Sequence, residues 1–135
     1  MKKGIPNTLS ILLFILIMIL TVTSCEKIEF GEPFDCKIGA YYRLTGNLSF
    51  SIDSIRDYRC PQDILCIWSG DVELYFNIHH NLTNIDTLIY FLNGNNNPFK
   101  IEGFTWKVLE VNPWLKSDQQ IDKRDYRIKV LIKNN

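Results

Sequence analysis

Val72-Glu73-Leu74-Tyr75-Phe76-Asn77-Ile78-His79-His80 decides the fold. Val72, Leu74, Phe76 and Ile78 share one face and Glu73, Tyr75 and Asn77 the other, which is the two-residue period of a strand with one side buried. The same alternation recurs on both sides of this stretch. Upstream, Ile38, Ala40, Tyr42 and Leu44 form one series and Leu48, Phe50 and Ile52 the next, with Thr45-Gly46-Asn47 as the turn of a hairpin. The phase slips between Ile52 and Ile55, which predicts a bulge or a strand end. Downstream, Asn81 to Asn84 reads as a turn and Asp86 to Leu92 as a strand apolar on both faces, covered on both sides or facing a partner. Asn93-Gly94-Asn95-Asn96-Asn97-Pro98 is turn chemistry. Phe104, Trp106 and Val108 begin a strand that Pro113 breaks, Lys116 to Lys123 is a polar excursion with room for a short helical turn, and Tyr126, Ile128, Val130 and Ile132 close the chain. No window holds a helical period.

This pattern predicts an all-β domain of about seven antiparallel strands in a small barrel or sandwich. A barrel removes free edges and a sandwich must protect them; the lysine-studded last strand suits an edge.

The N-terminus carries an address. Lys2-Lys3, the apolar run Leu9 to Leu20 and Val22-Thr23-Ser24-Cys25 make a secretory signal. The apolar run is shorter than the roughly 20 residues of a spanning helix. Val-Thr-Ser-Cys resembles the lipobox of bacterial lipoproteins, in which the cysteine is acylated with palmitate-type chains and becomes the first residue. The expected organisation is a signal peptide over 1–24, a tether over 25–35 rich in polar residues with Gly31 and Pro33, and one domain over 36–135. Lipidation at Cys25 implies an outer-membrane lipoprotein of a Gram-negative envelope, on its periplasmic or surface face. The membrane is then a partner through the lipid anchor, since buried acyl chains contribute about 0.8 kcal/mol per CH₂.

Without Lys2 and Lys3 the chain sets thirteen Lys and Arg against fifteen Asp and Glu. That balance argues against nucleic acid as a partner, which requires a clustered basic surface. With Cys25 assigned to lipid, Cys36, Cys60 and Cys66 remain for an oxidising compartment. Cys60 and Cys66 are the expected disulfide, worth about 2 kcal/mol for a ring this short. Cys36 is then a buried thiol, an intermolecular link or a competitor for that pair. A zinc site at Cys60 and Cys66 fits poorly, because the spacing exceeds the usual interval and no second ligand pair exists.

No catalytic constellation emerges, and no cofactor or metal is expected. His79 and His80 are adjacent on a strand and point to opposite faces, which prevents joint chelation. Asp53, Asp57, Asp63 and Asp71 crowd the cysteine loop but lack the calcium-loop spacing. Sequence patterns for a nucleophile elbow, a metalloprotease helix or a phosphate loop are missing.

The unusual segment is Asp57-Tyr58-Arg59-Cys60-Pro61 through Cys66-Ile67-Trp68-Ser69-Gly70. Architecturally, Arg59 pairs with Asp57 or Asp71, Trp68 caps the open end of the core, and Gly70 takes a backbone conformation closed to other residues. Functionally, Pro61, Gln62, Asp63, Ile64 and Leu65 form a preorganised binding wedge, since a loop ordered in advance loses less entropy on association.

The same segment resembles the Asp-Ser-Arg-Cys-Pro…Cys-x-Trp-Ala-Gly signature of a family of small bacterial lipoproteins without assigned activity, with Tyr58 and Ser69 in place of the commoner Ser and Ala. Phe104 to Pro113 is similar to that family's second-half strand, and Asp125 to Val130 to its closing strand. A looser likeness, in size, lipobox and all-β pattern, is to the potempins, outer-membrane β-barrel lipoproteins that inhibit secreted peptidases. These likenesses imply a non-enzymatic, membrane-anchored protein-binding module whose partner is a secreted peptidase or another envelope protein. The alternatives are an envelope structural or assembly factor, or a carbohydrate-binding module using Tyr41, Tyr75 and Trp114.

Overall fold

The computed structural model describes residues 28–94 and 96–135. The signal segment 1–24 and the lipidation candidate Cys25 lie outside the described residues. Eight strands form: β1 (Phe34–Cys36), β2 (Tyr41–Arg43), β3 (Leu48–Asp57), β4 (Val72–His80), β5 (Thr83–Tyr90), β6 (Phe99–Ile101), β7 (Phe104–Asn112) and β8 (Arg127–Asn134). They make two four-stranded sheets, ordered β1-β8-β7-β6 and β2-β3-β4-β5. Every pairing is antiparallel.

The architecture is therefore a sandwich and not a closed barrel. The chain runs between neighbours throughout, but it changes sheet after β1 and after β5. At those two seams side chains meet instead of backbones. The Phe34 and Tyr42 rings lie 6.3 Å apart at one, and at the other Phe99 of β6 reaches past β5 to the Phe76 ring of β4, 5.7 Å away.

Alternation placed the core correctly. Leu48, Phe50, Ile52, Leu74, Phe76 and Ile78 from one sheet face Trp106, Val108, Ile128, Val130 and Ile132 from the other, all buried. Trp106 meets Phe50 edge-on at 5.2 Å and stacks on Phe99 at 5.9 Å. The phase slip in β3 is a bulge between Ile52 and Ser54, which returns Ile55 to the inner face. β7 has an equivalent irregularity between Val108 and Glu110 that does the same for Val111.

Four expectations change. Phe34 and Asp35, assigned to the tether, belong to β1, so the packed chain begins before Cys36. Their pairing with β8 is extended when the Gly31 amide donates to the Ile132 carbonyl at 2.8 Å. Ile38 and Ala40 leave the strand because residues 37–40 turn between the sheets, with Gly39 at φ +76°. The Asp86 to Leu92 strand starts earlier, at Thr83, and lies at a sheet edge, where only Ile89 is fully buried. Finally, β8 is interior because the short β1 covers its side; its lysine is held on the outer face, where Lys129 Nζ contacts Glu110 at 2.9 Å. The polar excursion does contain a single 3-10 turn, Lys123–Asp125, capped by the Asp122 carboxylate.

Strand direction sorts the connections to two ends. Residues 58–71, 91–98 and 113–126 gather at one end with the 37–40 turn. The hairpins after β2, β4 and β6 gather at the other, together with the incoming chain at residues 28–33. Contacts confirm that second grouping: Asn81 N donates to Asn47 O at 2.9 Å, His80 meets Glu102 at 2.8 Å, and Phe30 stacks on Phe104 at 5.2 Å.

Candidate functional site

The loop between β3 and β4 is built around a buried cation. Arg59 is 1% exposed, and a buried guanidinium is tolerated only when its N–H groups are paired. Asp57 accepts from Nε at 2.9 Å and from one terminal nitrogen at 2.5 Å, a two-pronged pairing. The remaining donors reach across to the opposite sheet, to the Val111 carbonyl at 2.8 Å and the Pro113 carbonyl at 2.9 Å. Trp114 covers the guanidinium with its ring centroid 4.3 Å away. Asp57 also accepts from the Tyr126 hydroxyl at 3.0 Å, and burial with this carboxylate raises the tyrosine's pKa. Arg59 thus ties the β3–β4 loop to the start of the 113–126 loop.

Asp71, the other suggested partner for Arg59, has a different task. It is 3% exposed and accepts from the amides of Val72, Leu92 and Asn93 at 2.7, 2.7 and 2.9 Å, fixing the chain as it leaves β5. Gly70 has the positive φ expected, +69°, and a Cβ there would lie 2.0 Å from the Tyr58 carbonyl. That close approach lets the ladder continue beyond the strands, with Tyr58 N to Asp71 O at 3.0 Å and Cys60 N to Ser69 O at 2.8 Å.

Cys60 and Cys66 form the disulfide, with a Cα separation of 5.9 Å, which removes the zinc reading. Half of the proposed wedge is anchored. The Gln62 amide donates to the Leu115 carbonyl at 3.0 Å, and Trp114 Nε1 to the Cys60 carbonyl at 3.0 Å. Asp63 accepts from the Ser117 amide at 2.9 Å and its hydroxyl at 2.5 Å, and these bonds hold the carboxyl below its ordinary range. Pro61 is half-buried.

The other half protrudes. Ile64 is 48% exposed and Leu65 103%; beyond the disulfide, Ile67 is 108% and Trp68 67% exposed. Trp68 therefore does not cap the core. Its ring instead stacks on Tyr58 at 6.1 Å on the outside of the fold. Sequence reasoning missed Ile67, Ser117 and the role of Trp114 at this site. Trp114 and Ser117 lie 54 residues from their partners and carried no local signal.

The remaining candidates do not converge on a site. Cys36 is a buried free thiol, and burial pushes its pKa up. His79 packs near the Tyr41 ring at 6.1 Å while His80 turns to Glu102, as their opposite faces require. Asp53 bonds Ser51, so the four aspartates are dispersed among separate partners. Among the described residues, no group of three or more His, Cys, Asp or Glu side chains could hold a metal ion. A scan of protein-family models and searches of curated proteins and solved structures produced no match to this chain.

Proposed function

We propose that this protein is a lipid-anchored, non-enzymatic binding module of the Gram-negative envelope whose disulfide loop docks into a protein partner, with a secreted peptidase as the partner class. The observation that carries the reading is the exposure of Ile64, Leu65 and Ile67 on a loop fixed from beneath by Arg59, the disulfide and the Asp63–Ser117 bonds. Apolar side chains on a rigid support can be buried by a partner without a large ordering cost. Placement agrees with this use. The loop lies at the end of the sandwich opposite residues 28–33, so an upright domain anchored at Cys25 holds it away from the bilayer. The likeness to the lipoprotein family and to the potempins supplies the address and the peptidase class.

The test compares the wild-type protein with a Leu65→Ser/Ile67→Ser variant as inhibitors of endopeptidases secreted by the same cells. Inhibition by the wild type that falls at least tenfold in the folded variant supports the reading. Absence of inhibition, or equal inhibition by both, removes it.

A further inference from the structure

Beside the protruding loop, the outer side of the β2-β3-β4-β5 sheet carries a second feature. Tyr58, Trp68, Asp71, Tyr90, Asn93 and Gly94 line an open cleft of about 370 Å³. This lies at the small end of the roughly 300–1,000 Å³ range of small-molecule sites. Its walls are ring faces. Trp68 and Tyr58 stack with their planes 22° apart, and the exposed Trp68 has one face left to offer. Tyr90 comes from the neighbouring strand, paired in register with Glu73 on the same outward face.

The rim is hydroxyl and carboxylate. Tyr58 and Tyr75 each donate a hydroxyl to Glu73 at 3.3 Å, and Arg56 neutralises that carboxylate at 3.0 Å. The Tyr58 hydroxyl titrates above its ordinary range, because of burial first and then the charges of Glu73 and Asp71. Asn93 completes the floor, where its Nδ2 donates to the Gly70 carbonyl at 2.7 Å. Glycine at 94 keeps the floor open, since a Cβ would lie 2.2 Å from the Tyr90 Cβ.

We propose that this cleft binds a neutral sugar, with the C–H face of one pyranose ring against Trp68 and its hydroxyls on the polar groups of Tyr58, Tyr90 and Asn93. Aromatic faces flanked by oxygen acceptors and hydroxyl donors match a ring that is apolar on its face and polar at its edge. An anionic sugar is disfavoured because Asp71 is the charged residue in the cleft wall and no cation lines it. The site differs from the sugar platform suggested by sequence: Trp114 is committed to Arg59, and Tyr41 lies on the far strand of the sheet, bonded to Ser49. It is also independent of loop docking, because Leu65 and Ile67 do not line the cleft.

The experiment uses the full-length chain in a zwitterionic detergent free of sugar. Maltotriose, cellotriose, mannotriose and triacetylchitotriose are titrated, with sialyllactose as the acidic comparison, and binding is read by saturation-transfer NMR and tryptophan emission. The expected result is saturable binding of at least one neutral trisaccharide below 10 mM, weakened tenfold or more by both Trp68→Ala and Tyr90→Ala and unchanged by Leu65→Ser/Ile67→Ser. Near-ultraviolet circular dichroism confirms that each variant is folded. No saturable binding by any of the four, retention of binding in either aromatic variant, or preference for sialyllactose overturns the proposal. None of these results bears on peptidase inhibition, which the loop variant reports separately.

Discussion

Arg59 shows how one buried charge organises an end of this molecule. Its side chain is fully enclosed and the Asp57 carboxylate 3% exposed, so neither ion has water to fall back on. Replacing Arg59 with Ala leaves the buried Asp57 carboxylate without its cation and takes a donor from each of two backbone carbonyls. Breaking a buried pair in this way typically costs about 3–5 kcal/mol. The urea midpoint of Arg59→Ala should fall accordingly, and Arg59→Lys should recover only part of it because a point charge cannot reproduce the fork. A midpoint unchanged in Arg59→Ala would refute this account. Asp63 provides a milder, pH-dependent contact on the same loop. Its carboxyl is held low by the Ser117 hydroxyl and amide, so the contact is complete above the ordinary aspartate pKa of about 3.9 and is lost as pH falls through the lowered folded value. The Ser117 amide should therefore exchange with solvent faster in strong acid, and Asp63→Asn should remove most of that dependence. An acid response that survives the substitution would have to be assigned elsewhere. Little of this was legible in sequence: the Arg59–Asp57 pairing was one of two local options, whereas Trp114 and Ser117 arrive from the 113–126 loop, 54 residues along the chain from their partners.

Among the elements, the long strands were readable because they bury one face, and burial imposes a strict period of two. The β3 bulge was readable for the same reason, since it interrupts that period. β1 and β6, each only three residues long, offer too few positions to show a period, and their pairing depends on β8 and β7. The edge assignment of β8 failed because outward lysines mark a solvent face, while an edge is a matter of neighbours. For the cysteine loop, the two roles assigned to it can be separated by substitution. Cys60→Ser with Cys66→Ser should lower stability by about 2 kcal/mol, the loop-closure entropy of a short ring. Ile64→Ser with Leu65→Ser should change it by no more than about 0.5 kcal/mol, because Leu65 lies in solvent and Ile64 is outside the packed core. Denaturant unfolding of the two variants reads both values. A large loss in the second would mean that the apolar tip supports the fold.

At the scale of the whole molecule, even strand number and neighbour-to-neighbour connection bear on the anchor proposed at Cys25. The chain enters at residues 28–33 and the β3–β4 loop lies at the opposite end, separated by β3, whose ten residues span about 33 Å at strand rise. Gly31, six residues after Cys25 in the chain, is bonded to Ile132. An upright domain then presents Ile64, Leu65, Ile67 and Trp68 away from the bilayer, whereas a domain lying over would press the same apolar tip into the lipid. Trp68 distinguishes the two orientations, because it is the exposed tryptophan of the three and Trp106 is buried. In vesicles carrying nitroxide-labelled lipids, the emission lost on Trp68→Phe substitution should be the same with and without the nitroxide. On the anchor proposed at Cys25, Cys25→Ala should meanwhile release the protein from the vesicles. If nitroxide quenches the Trp68 component, the tip is a membrane contact and its exposed side chains no longer argue for a protein partner.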